Sequence, residues 1–174
     1  MKRNNIPIAE FNTNIFDDLN SKWMLLCSGD KRNFNFMTVS WGLMGTFFFK
    51  PIVMVGVRPQ RHTKEFIENY DTFTLSAFPA KYKEELTFCG KNSGREFDKL
   101  QKTGFTVVDS EKIEAPSFSE AELIIEGKII YTEELKGKNF KDKKIVPAVY
   151  SNRDFHKLFF AEVMNISGVS AYQK

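Results

Sequence analysis

Residues 52–57 read Ile-Val-Met-Val-Gly-Val, a run that is apolar on both alternating faces. A strand of this kind is stable only where both faces are covered, so the sheet that holds it must be layered or closed on itself. Further runs combine β-branched or aromatic residues with turn signals at their ends: Trp23 to Cys27, Phe34 to Trp41, Thr72 to Phe78, Ala121 to Tyr131 and Leu158 to Val163. Helical candidates lie between them. Thr63 can cap a helix over Lys64 to Tyr70, in which Phe66, Ile67 and Tyr70 share one face. Lys81 to Phe88 follows Pro79, with Gly90 as its stop signal, and a third helix runs from about Gly94 to Lys102, with Phe97 and Leu100 inward and Gly104 near its end. Strands outnumber helices and do not alternate regularly with them. The pattern predicts a mainly β fold with helical insertions, a barrel in preference to a doubly wound sheet.

The 174 residues suit a single domain spanning 1–174, and 42% hydrophobic content suffices for its core. No internal repeat, linker or low-complexity segment interrupts it. Phenylalanine occurs 18 times, and most of those rings must pack the interior, though a few can line a planar ligand. The formal charge is +3 with acidic residues spread among the basic ones, and no basic tail or long like-charge block marks a nucleic-acid surface. Cys27 and Cys89 lie outside any CxxC or His-rich pattern, so neither a disulfide scaffold nor a zinc site is expected. The N-terminus has no apolar signal-peptide core and no run approaches the length of a membrane span, so a cytoplasmic protein that does not engage a membrane is expected.

The chemistry gathers at strand ends and turns. In Asn35-Phe36-Met37-Thr38-Val39-Ser40-Trp41-Gly42 an apolar strand ends in hydroxyls and a Trp; Val57-Arg58-Pro59-Gln60-Arg61-His62-Thr63 leaves the core and enters a helix. Guanidinium groups beside the free N–H groups of a first helical turn make a phosphate site, and an anionic ligand with an aromatic body, such as flavin mononucleotide (FMN), suits the pair of segments; a solvated turn with surface arginines is the plainer reading. Cys89-Gly90-Lys91-Asn92-Ser93-Gly94-Arg95 offers a second anion-binding turn, or an ordinary interhelical one. It lacks Walker spacing, and no Gly-x-Gly-x-x-Gly follows a strand, so neither a nucleoside triphosphate loop nor a Rossmann site is supported. His156 precedes the strand Leu158-Phe159-Phe160-Ala161 and can project from a barrel rim, or sit on the surface. No Ser/His/Asp order or HExxH pattern accompanies it, so an enzyme here needs a cofactor for its reactivity.

Taken in order, Met37-Thr38-Val39-Ser40-Trp41-Gly42, Lys50-Pro51, Val57 to Thr63, Phe73-Thr74-Leu75-Ser76, Cys89-Gly90, Ser93-Gly94-Arg95 and Asp98-Lys99 resemble the flavin reductase-like family, its flavoredoxin branch in particular. Ala121-Glu122-Leu123 and Phe155-His156-Lys157 extend the resemblance to roughly Trp23 to Val163. It implies a split β-barrel that binds FMN noncovalently and forms a homodimer, with the cofactor near the subunit interface. It assigns Met37, Thr38, Ser40 and Trp41, with Val39 between them, to the flavin ring and ribityl region. It assigns Arg58, Gln60, Arg61 and Thr63 to the ribityl chain and phosphate, and Ser93, Gly94 and Arg95, with Cys89, Gly90 and Lys99 nearby, to the phosphate side; His156 completes the cofactor set. His62 stands where many relatives have Tyr, and Phe47-Phe48-Phe49 where relatives often carry a Trp. The expected activity is an oxidoreductase passing electrons from NAD(P)H or a redox protein through FMN to an acceptor, with no side chain as essential acid or base. The rival readings are a noncatalytic FMN-binding electron carrier and an interaction module built on the Phe-rich surface.

Overall fold

A computed structural model describes residues 2–174. The long strands are β1 (Met24–Gly29), β2 (Phe34–Val39), β3 (Gly42–Phe47), β4 (Lys50–Val57), β5 (Thr72–Ala77), β6 (Leu123–Glu134) and β7 (Lys157–Gly168). They form one sheet in the order β2-β1-β5-β6-β7-β4-β3, antiparallel throughout. Asn4–Asn5 adds a short strand against the end of β7.

Alternation along β1 sorts its side chains to two cores. Met24 and Leu26 join Val53, Val55, Val57, Phe73, Leu75, Ile125 and Phe159 in a cluster to which every long strand contributes, including the half-buried Met44 of β3. A sheet whose strands all meet in one core has curled upon itself. Register shifts at Phe160/Ala161 and Val163/Asn165, where β7 runs beside β6, mark bulges that sharpen the bend. The edge strands β2 and β3 do not pair with each other, and the barrel is split. Leu25 and Cys27 face outward into a second cluster with Phe36, Leu86, Cys89 and Phe118. The both-faces burial expected for residues 52–57 holds, with Gly56 alone half-buried.

The helices are α1 (Thr63–Asn69), α2 (Lys83–Lys91), α3 (Lys99–Thr103) and α4 (Ile145–Val149). Three sequence expectations need correction. Thr63 does not cap α1; His62 occupies the cap position, and the Thr63 hydroxyl accepts from Asn35 Nδ2 at 2.7 Å. Gly90 lies inside α2, where an added Cβ would come within 3.3 Å of Thr38, so the glycine lets helix and strand approach closely. The third helix does not begin at Gly94. It starts after Asp98, whose carboxylate caps Gln101 N at 3.0 Å, and leaves Phe97 exposed. Gly104 ends it in the left-handed conformation, as expected.

The β3–β4 hairpin is absent from the sequence expectations. Its two-residue turn is Phe48-Phe49, with φ of 54° and 57°, a conformation that normally selects Asn-Gly. Also unanticipated is the arm between β6 and β7 that carries α4. Among the described residues no helix is long and apolar enough to cross a membrane.

Candidate functional site

β2 ends as α1 begins beside it, and two cavities open along that junction. The first, about 300 Å³, is lined by Asn35, Met37, Gln60, Arg61, His62, Thr63, Lys91, Asn92, Ser93, Gly94 and Lys99. The second, about 230 Å³, is lined by Met37, Thr38, Val39, Ser40, Trp41, Gly56, Arg58, Arg61 and His156. Met37 and Arg61 border both, so the two adjoin.

Among the described residues no carboxylate pairs with Lys99 or Arg61 in the first cavity, while His62 Nε2 lies 3.5 Å from Glu65 Oε2. Lys99 is buried and donates only to backbone carbonyls, those of Phe36 at 2.7 Å and Cys89 at 3.3 Å. Burial brings its ammonium down to about 8, and Arg61 adds to the effect against an opposing pull from Cys89. Arg61 donates to the carbonyl of Gly90 at 2.6 Å; burial, then Arg58, lowers its guanidinium from the ordinary range. His62 is held below its usual value by burial, then by Arg95, and its Nδ1 is buried with no hydrogen-bond partner. The protonated forms of these three groups are disfavoured by burial and by nearby cations, and an anion would relieve each. Gly94 shapes the same wall, since an added Cβ would stand 2.1 Å from Asn35 Oδ1.

The second cavity is flatter and more aromatic. The Trp41 ring leans on His156 with centroids 4.9 Å apart, and Gly56 leaves room for that imidazole. Burial, then Arg58, brings the imidazole down to about 4. Arg58 is not a free cation: it pairs with Asp154, donates to the Val149 carbonyl at 3.0 Å and lies over the Tyr150 ring at 5.2 Å. Gln60 Nε2 donates to the same Asp154 carboxylate at 2.8 Å. An elongated ligand with an anionic end and a planar aromatic body fits this donor set, which is the pattern of FMN.

The expected site residues gather here with three exceptions. The Cys89 side chain is buried in the outer core, where burial pushes its thiol up to about 11. Gly90 offers a carbonyl to Arg61 but lines neither cavity. Arg95 stands outside both, ion-paired with Glu65. The Thr38 hydroxyl, though on the wall, donates to the Leu86 carbonyl. Asn35 was missed as a site residue, although a polar side chain between Phe34 and Phe36 was the available signal. Tyr150, on the arm, left no signal at all.

The flavin reductase like domain profile matches residues 16–173. Among solved structures the chain resembles flavoredoxin of Desulfovibrio vulgaris (Miyazaki F), at 23% identity over 86% of this chain and 70% of that one, TM-score 0.66. It resembles an FMN-binding domain of a flavin reductases-like enzyme from Shewanella baltica OS155, at 18% identity over 96% and 77%, TM-score 0.69. It also resembles an NADH:FAD oxidoreductase of Streptomyces globisporus C-1027, at 17% identity over 91% and 82%, TM-score 0.67. With the profile covering nearly its whole length, the chain belongs to the flavin reductase like domain family.

Proposed function

We propose that this protein is an FMN-dependent oxidoreductase that passes electrons from NAD(P)H, or from a redox protein, to a second acceptor. The observation that carries the reading is the joined pair of cavities, one with uncompensated cations and the other walled by Trp41 and His156. Arg61 and Lys99 would hold the phosphate, with His62 Nδ1 and the Thr63 and Ser93 region around it. Met37, Ser40, Trp41 and His156 would border the ring. When bound, FMN supplies the hydride-accepting and electron-transferring chemistry. The chain's own part is to bind and orient. Arg61 and Lys99 neutralise the phosphate in a partly desolvated site, where charge-assisted bonds contribute about 1.5–3 kcal/mol each, and Trp41 and Met37 exclude water from one side of the ring.

FMN is favoured over FAD because the cationic cavity suits one terminal phosphate. Release of the chromophore by denaturation, followed by chromatography, tests this; FAD as the sole product would overturn it. Rapid oxidation of NADH or NADPH by the loaded protein supports an enzyme, whereas reduction only by a partner redox protein would assign it to electron carriers.

A homodimer is part of the proposal. Leu43, Phe47, Phe48, Phe49 and Tyr131 leave an apolar surface on the β3–β4 hairpin and on strand β6, which lies one strand beyond it across β7. Light scattering at micromolar concentration with FMN bound should give twice the chain mass, and a monomer would contradict it. A cytoplasmic location is also part of the proposal.

A further inference from the structure

His156 is held from three sides. Its Nδ1 lies 2.8 Å from the hydroxyl of Tyr150, itself a buried residue. On another side an added Cβ at Gly56 would come within 3.3–3.5 Å of the imidazole and its Cβ, and on a third the Trp41 ring stands with its centroid 4.9 Å away. Nε2 has no protein hydrogen-bond partner among the described residues, and the ring borders the 230 Å³ cavity.

The tautomer follows from bond satisfaction. A buried phenol carries one proton that needs an acceptor. Among the described residues the Tyr150 hydroxyl makes no other side-chain bond, and a protonated Nδ1 would leave two hydrogens competing for one contact or the phenol proton unpaired. Nδ1 therefore accepts, and the imidazole proton resides on Nε2. The charged groups around the pair are Arg58, paired with Asp154 and lying over the Tyr150 ring, and Arg61. Both cations oppose an imidazolium.

We propose that Tyr150 is a positioning residue that holds His156 as the Nε2–H tautomer, presenting a fixed neutral donor to a carbonyl oxygen of the ring system in the 230 Å³ cavity. That the ring is flavin rests on the function proposed above; the tautomer does not.

Histidine-directed nitrogen NMR on the protein with and without FMN tests this. Wild type should show the Nε2–H tautomer without FMN. Tyr150→Phe keeps the ring that packs on Phe140 and Phe155 but removes the donor to the neutral imidazole. It should give a mixture of tautomers and weaken FMN binding severalfold, while burial and Arg58, which the substitution leaves in place, keep the His156 midpoint low. Phe140→Leu, which disturbs the same aromatic cluster, should move neither tautomer nor midpoint. An Nδ1–H tautomer in wild type, an unmoved tautomer in Tyr150→Phe, or a moved tautomer with unchanged FMN affinity would overturn the proposal. Failure of wild type to bind FMN while its tautomer is Nε2–H would instead overturn the cofactor reading.

Discussion

Arg58 and Arg61 are three residues apart, yet their surroundings give them different work. Arg58 is neutralised by Asp154 and fastens the arm to the barrel, whereas Arg61 meets only a carbonyl. Arg61→Ala should therefore raise the FMN dissociation constant about ten- to a hundredfold, the equivalent of one charge-assisted bond. Lys102→Ala, at the far end of α3, should leave it unchanged; fluorescence titration reads both. Lys99 gives a pH dependence whose sign is fixed by its depressed pKa. Between about 8 and the ordinary 10.5 the unfolded chain binds the proton that the folded chain has lost, so this group makes stability rise with pH in that window. FMN affinity should fall over the same range as the ammonium discharges. Lys99→Met should remove both trends, as thermal melts and titrations across the window would record. Cys89→Ser should keep most of the electron-transfer rate, because the thiol is sealed in the outer core; a variant that binds FMN but cannot be turned over would contradict this.

At the scale of elements, the sequence shows most where hydrophobic pattern and backbone agree. β4 was legible because residues 52–57 are apolar on both faces, and Gly104 because a helix that ends in a left-handed residue favours glycine. The β3–β4 turn was not, since two phenylalanines at positive φ contradict local preference at a cost of about 1–2 kcal/mol each. In the homodimer proposed above, this strained turn and its exposed rings would lie at the contact. Replacing Phe48-Phe49 with Asn-Gly should raise monomer stability in urea by about 2–4 kcal/mol while shifting the protein toward monomer in light scattering. If the variant is both more stable and still a dimer, the hairpin is not the contact.

For the whole molecule, strand order decides what the site is. The sheet brings β7 between β6 and β4, which sets His156, just before β7, beside Gly56 near the end of β4 and opposite Trp41 between β2 and β3. The arm joins the same wall because Tyr150 and Asp154 reach His156 and Arg58. These residues are about a hundred positions from Trp41 and Arg58, and no local pattern links them.

The sequence by itself determined the mainly β class, the covered strand at residues 52–57, the two polar turns and most of the residues that line the cavities, because alternation, turn chemistry and ordered motifs act over a few residues. Only the tertiary structure decided which cations stay uncompensated, since Arg58 is neutralised by an aspartate 96 positions away while Arg61 and Lys99 find only carbonyls. Charge compensation depends on distance in space, and the curl of the sheet sets that distance.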